Sequence, residues 1–271
     1  MATINKLVAS ITQPVMTGNH YIPTEKIADF VDSILVVENN DVKKTFSLPL
    51  FANGKPTLLF QTTKGTIKNN SNYLTLFGQT IFPDQISFTE NFILIAFFFK
   101  PFALTTLFGF SAKDLTDNPI NLNLIQSKNA NLLQEQLLNA NTVDEMVAIL
   151  DDFIFSLTTK IQTDNKLIKY ATQLIAEHPS KEILKKAQDE LYVTERTFQR
   201  MFEDKVGISP NQYRRIAQFN SAFQQLNQQQ FKLFSDIAFN NDYADQSHFI
   251  RAFKEFTNMT PKGYLKLGKN E

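Results

Sequence analysis

Two stretches of the chain set basic and amide side chains along one side of a helix and phenylalanines along the other. In residues 195–204, Arg196, Gln199 and Arg200 recur at steps of three and four, while Phe198, Met201 and Phe202 fall opposite them. Residues 245–256 repeat the arrangement, with Gln246, Ser247, Ile250 and Arg251 on one side and Phe249, Ala252 and Phe253 on the other. The chemistry open to such faces is recognition. A guanidinium pairs bidentately with guanine and a carboxamide with adenine, each good pair contributing about 1–3 kcal/mol of discrimination, and an outward Ile suits a thymine methyl. Either helix alone leaves a bland alternative open, an amphipathic helix with a solvated polar face. Catalysis finds little footing. There is no cysteine, so thiolate nucleophiles, disulfides and cysteine-based zinc sites are excluded. His20, His178 and His248 are scattered, with no HExxH and no glycine-rich phosphate loop. Asp151-Asp152 reads as a solvated helix face. No enzyme, metal or cofactor is expected.

The elements that carry these faces are written twice, at a constant offset of 51 residues: Ala187 recurs as Ala238, Phe198 as Phe249, Arg200 as Arg251, Phe202 as Phe253, Pro210 as Pro261 and Tyr213 as Tyr264. Two copies are too few for a solenoid, and a pair of helix-turn-helix units is the expected arrangement. The duplication with its shared inward Phe pair weighs against the bland reading. An amphipathic helix over 166–177 ends at His178-Pro179. Ser180 is expected to cap the first helix of the first unit, which carries Leu184, Ala187 and Leu191. A turn at 191–193 leads to Thr194, a good N-cap, and the following helix runs out at Gly207. Ser209-Pro210 opens a long helix to about Asn227 that joins the units. Residues 234–240 and 245–256 repeat the pair, and Thr260-Pro261 starts a final short helix.

The first half of the chain is different in kind. Strands are predicted over 31–38, 45–52, 56–62, 73–77, 85–89 and 91–99, with Asn53-Gly54 as a hairpin signal because both residues tolerate positive φ. The run Phe92–Phe99 (FILIAFFF) has only eight residues, whereas a membrane-spanning helix needs about 20, so it reads as a central strand buried on both faces. Short helices follow over 102–108, ending at Gly109, and over 123–138. Thr142 and Glu145 form a capping-box spacing for a helix to about Leu157, whose stripe of Met146, Ile149, Leu150, Phe153 and Leu157 either packs on its own sheet or forms a dimer interface. Phe60, Phe77, Phe88, Phe97 and Phe99 serve either as core or as the lining of an apolar ligand pocket. The polar stretch 158–165 marks a boundary between residues 1–163 and 164–271. The first carries 11 Lys/Arg against 14 Asp/Glu (−3), the second 16 against 13 (+3), which sums to the net charge of zero. A slightly acidic front and a slightly basic back suit a regulatory domain joined to a DNA-binding one. The fold class is α+β: a mainly antiparallel sheet or partial barrel with trailing helices, then an all-α tandem helix-turn-helix domain. No secretory signal is evident, and the absence of cysteine is compatible with a reducing cytosol.

The stretch SDIAFNNDYADQSHFIRAFKEFTNMTPKGY (Ser235–Tyr264) resembles the second helix-turn-helix of the AraC/XylS family of bacterial transcription regulators, and LYVTERTFQRMFEDKVGISPNQY (Leu191–Tyr213) resembles the first. The resemblance spans about residues 164–268 and rests most firmly on Asp245-Gln246-Ser247-x-Phe249-x-Arg251-x-Phe253-Lys254. A fainter one links the first half, through Phe99-Lys100-Pro101-x-Ala103 and Leu107-Phe108-Gly109, to a sensor or dimerisation domain found on some family members. The resemblance implies a cytoplasmic transcription regulator that binds double-stranded promoter DNA. It puts base-reading roles on Arg196, Gln199, Arg200, Gln246, Ser247 and Ile250, with Arg251 near phosphate. A small-molecule effector, a homodimer through the first half, and RNA polymerase follow as partners by analogy. The family's turn glycine is replaced by Tyr192 in one unit and Asp242 in the other. Ala187 lies one residue further from the recognition helix than the family's Ala. Ala244 stands where a capping Ser is common, leaving Asp245 to favour the helix N-terminus electrostatically.

Overall fold

The computed structural model describes residues 16–68, 70–125, 127–159 and 164–267. The boundary placed at residue 163 adjoins 160–163, outside the described residues. The first half forms two antiparallel sheets. The larger runs β1 (Met16–Tyr21), β2 (Val31–Asn39), β9 (Phe92–Phe99), β4 (Thr57–Gln61), β7 (Leu74–Phe77) and β10 (Ile120–Asn121) in that spatial order. The smaller runs β3 (Phe46–Leu50), β8 (Asp84–Phe88), β5 (Thr66–Ile67) and β6 (Asn70–Ser71). Strand β9 lies between β2 and β4, and its alternation decides how the layers stack. Phe92, Leu94 and Ala96 enter the core between the sheets, while Ile95, Phe97 and Phe99 enter a second core under the helices, as a period of two requires.

Those helices are α1 (Ala103–Phe108), α2 (Ser127–Asn139) and α3 (Val143–Thr158). Helix α1 ends at Gly109 in the left-handed region at φ 75°. At the start of α3, Thr142 Oγ1 accepts from the Glu145 amide at 3.2 Å and Glu145 Oε2 accepts from the Asn141 amide at 2.8 Å. Met146, Leu150, Ile154 and Leu157 are buried in this same core, with Ile149 and Phe153 packed against it. The apolar stripe of α3 is therefore spent on its own half.

Two expectations need correction, and one open alternative is decided. Asn53-Gly54 is not a hairpin: β3 pairs with β8 and β4 with β7 and β9, so the turn carries the chain from one sheet to the other. Gly54, at φ 72°, lies within 3.5 Å of Ile216 and Tyr213 once a Cβ is added, so this turn is a contact between the halves. The five phenylalanines do not surround one cavity, since Phe60, Phe97 and Phe99 belong to one core and Phe77 and Phe88 to the other. Asp151 is not solvated either. It is buried and both carboxylate oxygens accept from Thr24 Oγ1, at 3.0 and 2.9 Å, whereas Asp152 stays outside near Lys26.

The second half is all helical: α4 (Lys166–Glu177), α5 (Ile183–Glu190), α6 (Glu195–Lys205), α7 (Pro210–Asn227), α8 (Phe234–Asn240), α9 (Gln246–Thr257) and α10 (Pro261–Leu267). Its single core is joined by Ala52 and Phe102 from the first half. Phe51 reaches the rings of Phe223 and Tyr264, with centroids 5.8 and 6.4 Å away. Thr105 and Thr116 donate to the carbonyls of Asp204 and Gly207 at 3.2 and 3.1 Å. Gly207 sits at φ 93°, where an added Cβ would lie 2.6 Å from the Ala112 carbonyl. Only glycine suits both that backbone angle and that approach.

Candidate nucleic-acid interface

Helix α6 forms where it does because Thr194 caps it, accepting from the Thr197 amide at 3.3 Å. Phe198 and Phe202 are then fully buried, their ring centroids 5.0 Å apart, and Phe202 lies 5.8 Å from Tyr213 of α7. Arg196, Gln199 and Arg200 are all exposed on the other side. Gln199 donates to Glu203 Oε1 at 3.0 Å along the same helix, a surface contact that a stronger partner can displace.

Helix α9 repeats the geometry. Phe249, Phe253 and Phe256 are buried, and Phe253 lies within 6 Å of Phe219, Phe223, Phe249 and Tyr264. Gln246, Ser247 and Arg251 are exposed. Ile250 departs from expectation: it is half-buried and packed against the core of this half, so its apolar surface already has partial cover. Asp245 also does more than favour the helix end by charge. It is the N-cap itself, Oδ1 accepting from the His248 amide at 2.7 Å, while Ala244 lies outside the cap. His248 sits at the edge, its Nδ1 3.4 Å from the Ala244 amide.

In the first unit Ser180 is not the cap of α5. The helix starts at Ile183 with Glu182 at the N-cap and no side-chain cap bond. The two turns match in principle and differ in length. Tyr192 and Asp242 both take left-handed backbone, at φ 54° and 56°, an offset of 242 − 192 = 50 rather than 51. Val193 closes onto the Gln188 carbonyl at 3.1 Å and Tyr243 onto Ala238 at 3.0 Å, again 50 apart. One residue then separates Tyr192 from the cap Thr194, and two separate Asp242 from Asp245. Tyr192 is 95% exposed, so little holds it there except the turn. Left-handed backbone costs a non-glycine residue about 1–2 kcal/mol. Tyr192→Gly is therefore expected to stabilise the chain by about 1 kcal/mol, read as a higher denaturant midpoint; a lower midpoint would mean that the exposed ring makes a contact that matters.

Sequence reading missed Arg214 and Arg215, on the linking helix α7. Arg214 occupies the helical row of Gln218, Ala222 and Leu226, all buried, and an arginine on such a row is the signal that was there to be read.

Residues 188–267 match a protein family described as "Helix-turn-helix domain", and residues 19–121 match a domain of unknown function (DUF6597). No curated protein matches the chain. Among solved structures, ToxT from Vibrio cholerae O395 is similar over 96% of this chain and 100% of its own, at 15% identity and a TM-score of 0.48. Unsaturated fatty acid bound wild-type ToxT from Vibrio cholerae strain SCE256 is similar over 94% and 96% of the two chains, at 14% identity and a TM-score of 0.47.

Proposed function

We propose that the chain is a DNA-binding transcription regulator of the AraC/XylS family, a reading supported by the helix-turn-helix match over residues 188–267, and that it reads one duplex with both of its units. Helices α6 and α9, tied by α7, enter successive major grooves on one face of the DNA, about 34 Å apart. Arg196 and Arg200 pair with guanine edges, and Gln199 and Gln246 with adenine. Ser247 accepts or donates as its base requires, the uncovered part of Ile250 meets a thymine methyl, and Arg251 holds phosphate. The observation that carries this reading is the matched pair of faces: six of the seven named side chains are exposed, while each helix buries its phenylalanines against a shared α7. Among the described residues, the polar side chains of these faces are engaged only by the Gln199–Glu203 contact along α6. Phosphate contacts supply affinity and base contacts supply choice. With a balance of only +3 in this half, nanomolar binding is expected at low salt alone, falling steeply as salt rises. Hydroxyl-radical footprinting of the full chain on its own site is expected to show two protected windows about one helical turn apart on the same face of the duplex. A single window would leave one unit without its role.

Effector control of this output is a second reading, favoured by a cleft of about 650 Å³ between the halves. Phe99, Lys100 and Phe102 meet Lys169, Tyr213 and Ile216 across it. Burial, and next the charge of Lys169, hold the Lys100 amine below its usual pKa. A small molecule there would touch both halves at once and so change how the first restrains the second. A thermal-shift screen in which no metabolite stabilises the chain would leave dimerisation as the task of the first half. Exposed Leu124 and Leu132 are residues that a second copy would cover. The proposal places the protein in the cytoplasm with RNA polymerase as its downstream partner, and it assigns no catalysis. Among the described residues no helix is long and apolar enough to cross a membrane.

A further inference from the structure

The helix that joins the two units buries a charge that no carboxylate receives in a hydrogen bond. Arg214 is 7% exposed. Its guanidinium donates to Asn211 Oδ1 at 3.3 Å, to the Pro179 carbonyl at 3.1 Å and to Gln218 Oε1 at 3.2 Å. All three acceptors are neutral, and a buried charge ordinarily demands an opposite one. Burial, and after it the charge of Arg215, lowers the pKa of this group. Next to it Tyr243 is likewise 7% exposed, and its hydroxyl has no hydrogen-bond partner among the described residues. An orphaned buried hydroxyl is costly unless something is there to meet it.

Both groups line one pocket of about 30 Å³, together with Lys181, Arg215, Asp242 and His248. Glu255 offsets Arg215 at 2.6 Å, which leaves Asp242 in the pocket lining, with Glu182 acting from nearby, against Lys181 and Arg214. The volume admits one or two water-sized oxygens and excludes a metabolite. Its place in the fold matters as much. It lies between the units, against α7, on the row of α9 that holds His248 and Ala252, beside the row of Ser247 and Arg251.

We propose that this pocket takes an oxygen of a phosphate group, and that in the complex with DNA the group belongs to the backbone between the two grooves. Guanidinium and phosphate suit each other in geometry as well as charge, and the Tyr243 hydroxyl supplies a further donor. This rests on the reading that both units lie on one duplex, and inorganic phosphate offers the same chemistry in the absence of DNA.

The test uses the full chain, its selected operator, and two variants that change little in shape, Tyr243→Phe and Arg214→Met. Operators carrying one neutral methylphosphonate at each central position are expected to include one that weakens the wild type about tenfold, the scale of a hydrogen bond to a charged group. That same substitution leaves the two variants' already reduced affinities unchanged. The salt slope for Arg214→Met falls by about 0.9, one phosphate's worth. In a second arm, inorganic phosphate is compared with chloride at equal ionic strength in DNA-free thermal melts. Stabilisation by phosphate in the wild type that both variants lose, without any methylphosphonate effect, assigns the pocket to the free anion. Equal methylphosphonate sensitivity in all three proteins with no phosphate stabilisation overturns the proposal. Failure to recover an operator strikes instead at the two-unit reading and leaves the phosphate arm standing.

Discussion

Replacing Arg196 and Gln246 together with alanine is expected to abolish most of the chain's preference for its operator over random DNA. The two side chains sit on different recognition helices, α6 and α9, and both are exposed, so neither holds the fold together. Each bidentate base contact is worth about 1–3 kcal/mol of discrimination, and sites this far apart add. The pair should therefore cost about 2–6 kcal/mol of specificity, a loss of roughly thirtyfold to more than ten-thousandfold. Non-specific binding at low salt should survive, since it depends on phosphate contacts. The measurement is a competition between operator and scrambled duplex, with a thermal melt to confirm that the variant folds as the parent does. An unchanged ratio would remove both residues as readers.

Phe253→Ala is expected to have the largest effect on folding. The ring is fully buried and lies 5.7 Å from Phe219, 5.8 Å from Phe223, 5.9 Å from Phe249 and 5.8 Å from Tyr264, centroid to centroid. Truncating a buried phenylalanine costs about 3–5 kcal/mol in lost transfer and cavity, a large part of the stability of a domain this size. Because Phe219 and Phe223 belong to α7, the loss should reach both units rather than α9 alone. Urea unfolding followed by far-ultraviolet circular dichroism would show it. A loss under about 1 kcal/mol would mean that the cluster relaxes to fill the hole.

The helical half was legible because its signals are local. Phe198 with Phe202 and Phe249 with Phe253 lie four apart on one helix face, Thr194 and Ser209 cap as their positions suggest, and Pro210 opens α7 where proline costs least. The sheet half yielded β2, β3, β4, β7, β8 and β9, but neither β1, β5, β6 and β10 nor the pairing of any of them. Asn53-Gly54 has the local chemistry of a hairpin, yet β4 finds its partners in β9 and β7, far along the chain, and no dipeptide encodes that choice. The register of the repeat also hid a detail. A constant offset of 51 residues holds for the buried phenylalanines because the core demands it, while the exposed turn at Tyr192 slips by one, where only backbone geometry is at stake. Ile250 looked outward from helical periodicity alone, and its partial cover depends on tertiary packing that periodicity does not contain. Arg214 and Asp151 share a different reason. Charged residues are ordinarily solvated, and only the Thr24 hydroxyl in one case and the neutral acceptors of the other reveal that these two are not.

Selection of binding sites by the full chain from a pool of random duplexes is the most direct measurement. Two enriched blocks without palindromic symmetry, centred about 10 base pairs apart, are expected if one chain sets α6 and α9 in neighbouring grooves. Enrichment of a single short block, or of none, would contradict it.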